Sequence, residues 1–186
     1  MACEDSSVYR STVATVMRTC APMLAAALVA APAAGAQENP VTWTLTPSAT
    51  TVAPGGTVSA KLSATIEDGW HVYSITQGPG GPIPTRISLA DGHPFVLADA
   101  LKAPAPISGF DSNFGITVET YEGSAAFTLP LKVAATAHPG VDTLAVRARY
   151  QVCNASLCLP AKTETVTAPI TISAAGAAKK AGHTAS

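Results

Sequence analysis

Between residues 57 and 66 the chain alternates without a break, with Val58, Ala60, Leu62, Ala64 and Ile66 on one parity and Thr57, Ser59, Lys61, Ser63 and Thr65 on the other. A period of two sends successive side chains to opposite faces of an extended backbone, so this is a strand with one face in a core and one in water. The pattern returns at Leu144, Val146, Ala148 and Tyr150, set against Ala145, Arg147, Arg149 and Gln151, and again at Val166, Ala168, Ile170 and Ile172. Further strands are expected at Val41–Leu45, Trp70–Ile75, Arg86–Leu89 and Phe95–Ala98. Ile116–Tyr121 and Ala125–Val133 read as a hairpin about Glu122-Gly123. Glycine- and proline-rich turns separate these segments, and Lys102–Phe110, rich in proline, reads as irregular. With about nine short strands, no amphipathic helix and no internal repeat, the expected fold is all-β, an immunoglobulin-like antiparallel β-sandwich.

The first residues do not belong to that sandwich. Ala21–Ala36 is a short apolar run after Arg10 and Arg18, ending in the small-residue sequence Ala34-Gly35-Ala36. It is shorter than the roughly 20 apolar residues a membrane span needs, and it contains two prolines. Residues 1–36 are therefore read as a cleavable signal peptide, with Met17 the expected start of translation. Residues 37–172 form the expected domain, and residues 173–186, without periodicity, read as a disordered tail. The compartment that follows is an oxidising one outside the cytoplasm. A formal charge of −1 argues against nucleic acid as a partner, and a monomer is expected.

Cleavage would remove Cys3 and Cys20 and leave only Cys153 and Cys158. In an oxidising compartment such a pair is expected to be bridged. The short connection Asn154–Leu157 lets the sulfurs meet across the neck of a hairpin, since strands lie about 4.8 Å apart and disulfide Cα atoms about 5.5–6 Å apart. Cys153 continues the polar parity of Arg147, Arg149 and Gln151, so its sulfur is expected to point away from the core.

Other chemistries lack their residues. Gly78–Gly81 is not followed by Gly-Lys-Ser/Thr and is interrupted by proline, so it is no phosphate loop. There is no G-x-S-x-G elbow. His71, His93, His138 and His183 are scattered and supply no structural zinc site. No cofactor or metal is called for, although two thiolates could carry copper(I). A structural bridge is the other alternative, in a secreted sandwich that serves a structural or binding role. Closing a loop of about six residues removes only ~2 kcal/mol from the unfolded state, against ~4.7 kcal/mol for a long loop, which favours exchange over stapling. The spacing C-x4-C, with no helix start behind it, is not that of thioredoxin.

Tyr150–Pro160, Y-Q-V-C-N-A-S-L-C-L-P, resembles the active-site signature of the N-terminal periplasmic domain of the thiol:disulfide interchange protein DsbD, a family also known as the disulfide bond corrector domain. Asp68–Leu89 and Phe110–Leu131 resemble that family's aromatic strand and its middle region, so the likeness runs from about Val41 to Ile172. The resemblance implies an immunoglobulin-like domain whose dithiol passes electrons to oxidised periplasmic thiol proteins and is re-reduced by a thioredoxin-like domain fed from the membrane. It implies that Cys158 forms the mixed disulfide and Cys153 resolves it. His71 and Tyr73 match aromatic positions beside the cysteines, and Tyr150 opens the signature. Asp111–Gly115 matches a cap loop, where Asn113 and Phe114 stand in place of two adjacent aromatics. The resemblance covers no membrane hub and no thioredoxin domain, which implies either a free-standing shuttle served by a separate membrane thiol transporter or a binding domain that has lost that circuit.

Overall fold

The computed structural model describes residues 39–174. The signal-peptide reading of residues 1–36, the Met17 start and the tail beyond residue 174 lie outside those residues. The described residues form twelve strands and no helix: β1 (Val41–Pro47), β2 (Thr51–Val52), β3 (Thr57–Ile66), β4 (His71–Tyr73), β5 (Arg86–Leu89), β6 (Phe95–Leu97), β7 (Ile107–Asp111), β8 (Ile116–Glu122), β9 (Ser124–Val133), β10 (Gly140–Tyr150), β11 (Val152–Cys153) and β12 (Lys162–Ile172). They pair into three four-stranded sheets, ordered β1-β3-β9-β6, β2-β12-β10-β5 and β11-β4-β8-β7. Every pairing is antiparallel except that of β2 with β12. The fold is thus the expected all-β, immunoglobulin-like sandwich.

The alternating parities explain the core. Buried positions of β3 (Val58, Ala60, Leu62, Ala64, Ile66) and β10 (Leu144, Val146, Ala148, Tyr150) are those read from the sequence. The first two sheets meet where the Trp43 ring of β1 lies 5.4 Å from Tyr150 of β10 and 6.1 Å from Phe127 of β9. Tyr121 of β8 stands edge-on to Phe127 at 5.5 Å, which ties the third sheet to the same core. Each such large side chain, fully buried, contributes roughly 1.5–3 kcal/mol of transfer free energy.

Two local expectations are corrected. The segments on either side of Glu122-Gly123 are adjacent strands but not a paired hairpin: β8 belongs to the third sheet and β9 to the first. Gly123, at φ 61°, turns the chain from one sheet to the other. The proline-rich stretch before Phe110 is irregular only in part, since Ile107–Asp111 is β7, the edge strand of the third sheet. Its prolines, Pro104 and Pro106, precede the strand and leave its hydrogen bonds intact.

Candidate redox site

Register assembles the site on the outer face of the third sheet. Cys153 lies opposite His71, His71 opposite Glu122, Tyr73 opposite Thr120, Val118 opposite Gly109, and Ile116 opposite Asp111. Parity then puts Cys153, His71, Tyr73, Val118 and Asp111 on one face, while Val72, Tyr121 and Val152 face the main core. Tyr73, Val118 and Cys153 make a second buried cluster, and Cys158 packs on it.

Cys153 and Cys158 are joined by a disulfide. The Leu159 N–H donates to the Val152 carbonyl and the Asn154 N–H to the Leu157 carbonyl, both at 2.9 Å. These bonds flank the cysteines and leave them as a non-hydrogen-bonded pair, the place in an antiparallel ladder where Cα atoms come closest, at about 4.5 Å. Their Cα atoms are 4.1 Å apart.

This small hairpin is not the one expected. β10 and β12 do pair, up to Tyr150 opposite Lys162, but the chain leaves that ladder at Gln151, whose Oε1 accepts from the Ile83 N–H at 3.0 Å. It resumes as β11 on the third sheet with its parity unbroken, since Tyr150 and Val152 both face the main core. Cys153 therefore faces away from the main core, as its parity in β10 predicts, yet it has no exposed surface because it packs with Tyr73 and Val118 in the second cluster. Cys158 is the partly exposed sulfur.

Asn154, which the sequence reading passed over, shapes the loop. Its Oδ1 accepts from the Ser156 and Leu157 N–H groups at 2.9 and 2.8 Å. Its own carbonyl, left free of Leu157, accepts from Asn113 Nδ2 at 2.9 Å. Ser112 Oγ adds a weaker contact to the Ala155 carbonyl at 3.5 Å. Loop 111–115 is thus fastened to the disulfide loop. The signal for Asn154 was available, since asparagine beginning a tight turn bonds the backbone two and three residues on.

Behind the sulfurs runs a chain of hydrogen bonds. The Tyr73 hydroxyl donates to Asp111 Oδ2 at 2.6 Å, and His71 Nε2 lies 3.2 Å from that hydroxyl and 3.6 Å from Asp111 Oδ2. With the hydroxyl proton committed to Asp111, the Tyr73 oxygen accepts from His71 Nε2–H. Burial works to raise the Asp111 pKa. The Tyr73 hydroxyl, the Asn113 N–H on Oδ1 at 2.8 Å and the nearby His71 outweigh it and hold the carboxyl below its ordinary value. Burial first, then the Asp111 carboxylate, push the Tyr73 phenol far up, so it stays protonated.

Phe114 stands edge-on to Tyr73 at 5.9 Å and keeps 36% of its surface exposed, so it covers the site only in part. Beside it a groove of about 300 Å³ is lined by His71, Phe110, Asp111, Asn113 and Asn154. Of the residues anticipated around the cysteines, His71, Tyr73, Asp111, Asn113 and Phe114 gather here. Tyr150 does not: it is buried in the main core against Trp43, and its hydroxyl donates to Glu164 Oε1 at 2.6 Å.

An all-β sandwich carrying a short-loop disulfide, one sulfur buried and one partly open, on a face backed by a His–Tyr–Asp hydrogen-bond chain has the make-up of a thiol:disulfide interchange domain. The chain belongs to the family described as thiol:disulfide interchange protein DsbD, N-terminal, whose model matches residues 42–170. Among solved structures it is similar to the N-terminal periplasmic domain of ScsB from Proteus mirabilis, at 17% identity and a TM-score of 0.46, over 70% of this chain and 51% of that one. It thus spans about half the length of that domain. A family 123 glycoside hydrolase from Clostridium perfringens aligns at 10% identity and a TM-score of 0.32, over 69% of this chain and 27% of that one. No curated protein matches the chain.

Proposed function

We propose that this protein is a periplasmic dithiol/disulfide shuttle. It takes electrons from a thioredoxin-like reductant domain or membrane thiol transporter and passes them to oxidised periplasmic thiol proteins through Cys153 and Cys158. The observation that carries this reading is the asymmetry of the pair, with Cys153 fully buried and Cys158 partly exposed. Thiol exchange requires attack along the S–S axis on one accessible sulfur, and only Cys158 offers it. The secretory character of residues 1–36 and the family's periplasmic setting support the compartment.

In the reductive half-cycle the reductant's thiolate attacks Cys158 Sγ. The S–S bond breaks, Cys153 leaves as a thiolate and takes a proton, and a mixed disulfide joins Cys158 to the reductant. The reductant's second thiolate then attacks its own bridged sulfur and releases Cys158, so two electrons have moved. In the oxidative half-cycle the Cys158 thiolate attacks a partner disulfide and expels one partner thiolate. Cys153 then attacks Cys158 Sγ, re-forms the bridge and releases the second. His71 is the cross-strand neighbour of Cys153, and a protonated imidazole there favours the thiolate that Cys153 must become.

The experiment is mixed-disulfide trapping. Cys153→Ser, incubated with an oxidised thioredoxin-like dithiol protein, should yield an adduct through Cys158, visible on a non-reducing gel and located by mass spectrometry. If neither Cys153→Ser nor Cys158→Ser gives an adduct, the shuttle reading fails. A reduction potential well below about −300 mV would likewise mark a structural bridge.

A further inference from the structure

The outer face of the second sheet sets two arginines against each other. Arg149 of β10 is the cross-strand partner of Arg86 of β5, and Arg147, two residues back on β10, shares their face. All three are exposed. Like charges directly opposite in a ladder are destabilising, and in a chain of net charge −1 this cluster is not a by-product of general basicity. Arg147 is met by Asp91 at 3.3 Å, whereas among the ion pairs of the described residues neither Arg86 nor Arg149 takes part.

The arginines border a cavity of about 520 Å³, the larger of the grooves described and separate from the disulfide. Ile75, Ile87 and Leu101 give it an apolar wall, and Thr85 lines it as well. Thr85 is 1% exposed, and its hydroxyl has no hydrogen-bond partner. Buried hydroxyls are nearly always paired. Thr85 is also held in place, since its N–H donates to the Tyr73 carbonyl at 3.1 Å. Two guanidinium groups without carboxylates and an apolar wall border one cavity, with the unpaired Thr85 hydroxyl buried beneath its surface.

We propose that this cavity binds a small organic anion. A carboxylate or phosphate head sits between Arg86 and Arg149, whose planar forks match such groups. An apolar body lies against Ile75, Ile87 and Leu101. A bare oxyanion would leave most of the space empty, and cavities of roughly 300–1,000 Å³ are those that hold organic ligands. The proposal stands apart from the thiol chemistry and does not require it.

Isothermal and NMR titration with four probes tests it: hexyl phosphate, hexanoate, inorganic phosphate and hexanol. At least one of the two amphiphilic anions should bind at least about tenfold more tightly than inorganic phosphate, hexanol should not bind, and the preferred head group tells phosphate from carboxylate. The Arg86→Gln/Arg149→Gln double variant should lose about tenfold or more in affinity. In the absence of ligand and at low salt its thermal midpoint should hold or rise, because a like-charge pair is relieved. Equal affinity in the variant and the wild type, no saturable binding of either amphiphilic anion, or a fallen midpoint marking the arginines as structural would each overturn the proposal. So would inorganic phosphate binding as tightly as hexyl phosphate.

Discussion

Cys153 on β11 stands directly across from His71 on β4, in a ladder of only two residue pairs. That short ladder is what turns the cysteine loop away from the β10–β12 sheet and onto the face holding Tyr73 and Asp111. It buries one sulfur and leaves the other at the surface, and the consequences can be measured.

The reduced protein should alkylate unequally. Cys158 is reached from solvent, while Cys153 reacts only from locally opened states. Iodoacetamide labelling followed by peptide mass spectrometry should show Cys158 modified faster, by on the order of tenfold or more. Equal rates would contradict the burial described.

Asp111→Asn should be costly at neutral pH and less so in acid. The folded carboxyl titrates below its ordinary value of 3.8, so the unfolded chain takes up the proton first. Asp111 therefore stabilises the fold fully above the unfolded pKa, and that stability is lost as pH falls through the folded pKa. Removing the charged acceptor of Tyr73 should cost about 1–3 kcal/mol at pH 7. Urea unfolding of both proteins at pH 7 and pH 3 should show the gap narrowing. Glu164, also lowered, contributes equally to both and cancels.

Asn154→Ala leaves the Ser156 and Leu157 N–H groups without their side-chain acceptor. Water can replace it in this exposed loop, so the loss of stability should be modest, about 0.5–1.5 kcal/mol. The disulfide should nonetheless be reduced faster by dithiothreitol, with Asn154→Asp close to the wild type because it keeps the acceptor. An unchanged rate in Asn154→Ala would show that the turn does not restrain the pair.

Tyr150→Phe should act on the fold alone. It removes the donor to Glu164, a bond to a charged but partly hydrated group worth about 1–2 kcal/mol, and the midpoint should fall. The alkylation rate of Cys158 should not change. Tyr73→Phe, which removes the hydroxyl between His71 and Asp111, should alter the pH dependence of that rate. If Tyr150→Phe does so instead, the placement of Tyr150 in the core is wrong.

Much was legible in the chain beforehand. Alternation in β3, β10 and β12 identified those strands and their buried faces because a pleated backbone fixes which neighbours share a side. Cys153 and Cys158 could be singled out as a bridged pair from their closeness and from the oxidising compartment implied by residues 1–36. Residues His71, Tyr73, Asp111, Asn113 and Phe114 were expected near them through resemblance and not through any local pattern.

Alternation says which residues share a face but not which sheet that face belongs to. β8 and β9 therefore read as one hairpin although Gly123 carries the chain between sheets, and the parity that turned Cys153 away from the main core could not show the second cluster that buries it. Tyr150 and Tyr73 are alike in sequence terms, both aromatic and within strands. Only the strand pairings, β10 with β12 on one side and β4 with β8 and β8 with β7 on the other, sent one hydroxyl to Glu164 and the other to Asp111. Local periodicity determined the strands, and tertiary pairing decided the site, because hydrogen-bonded register joins residues that no short stretch of sequence brings together.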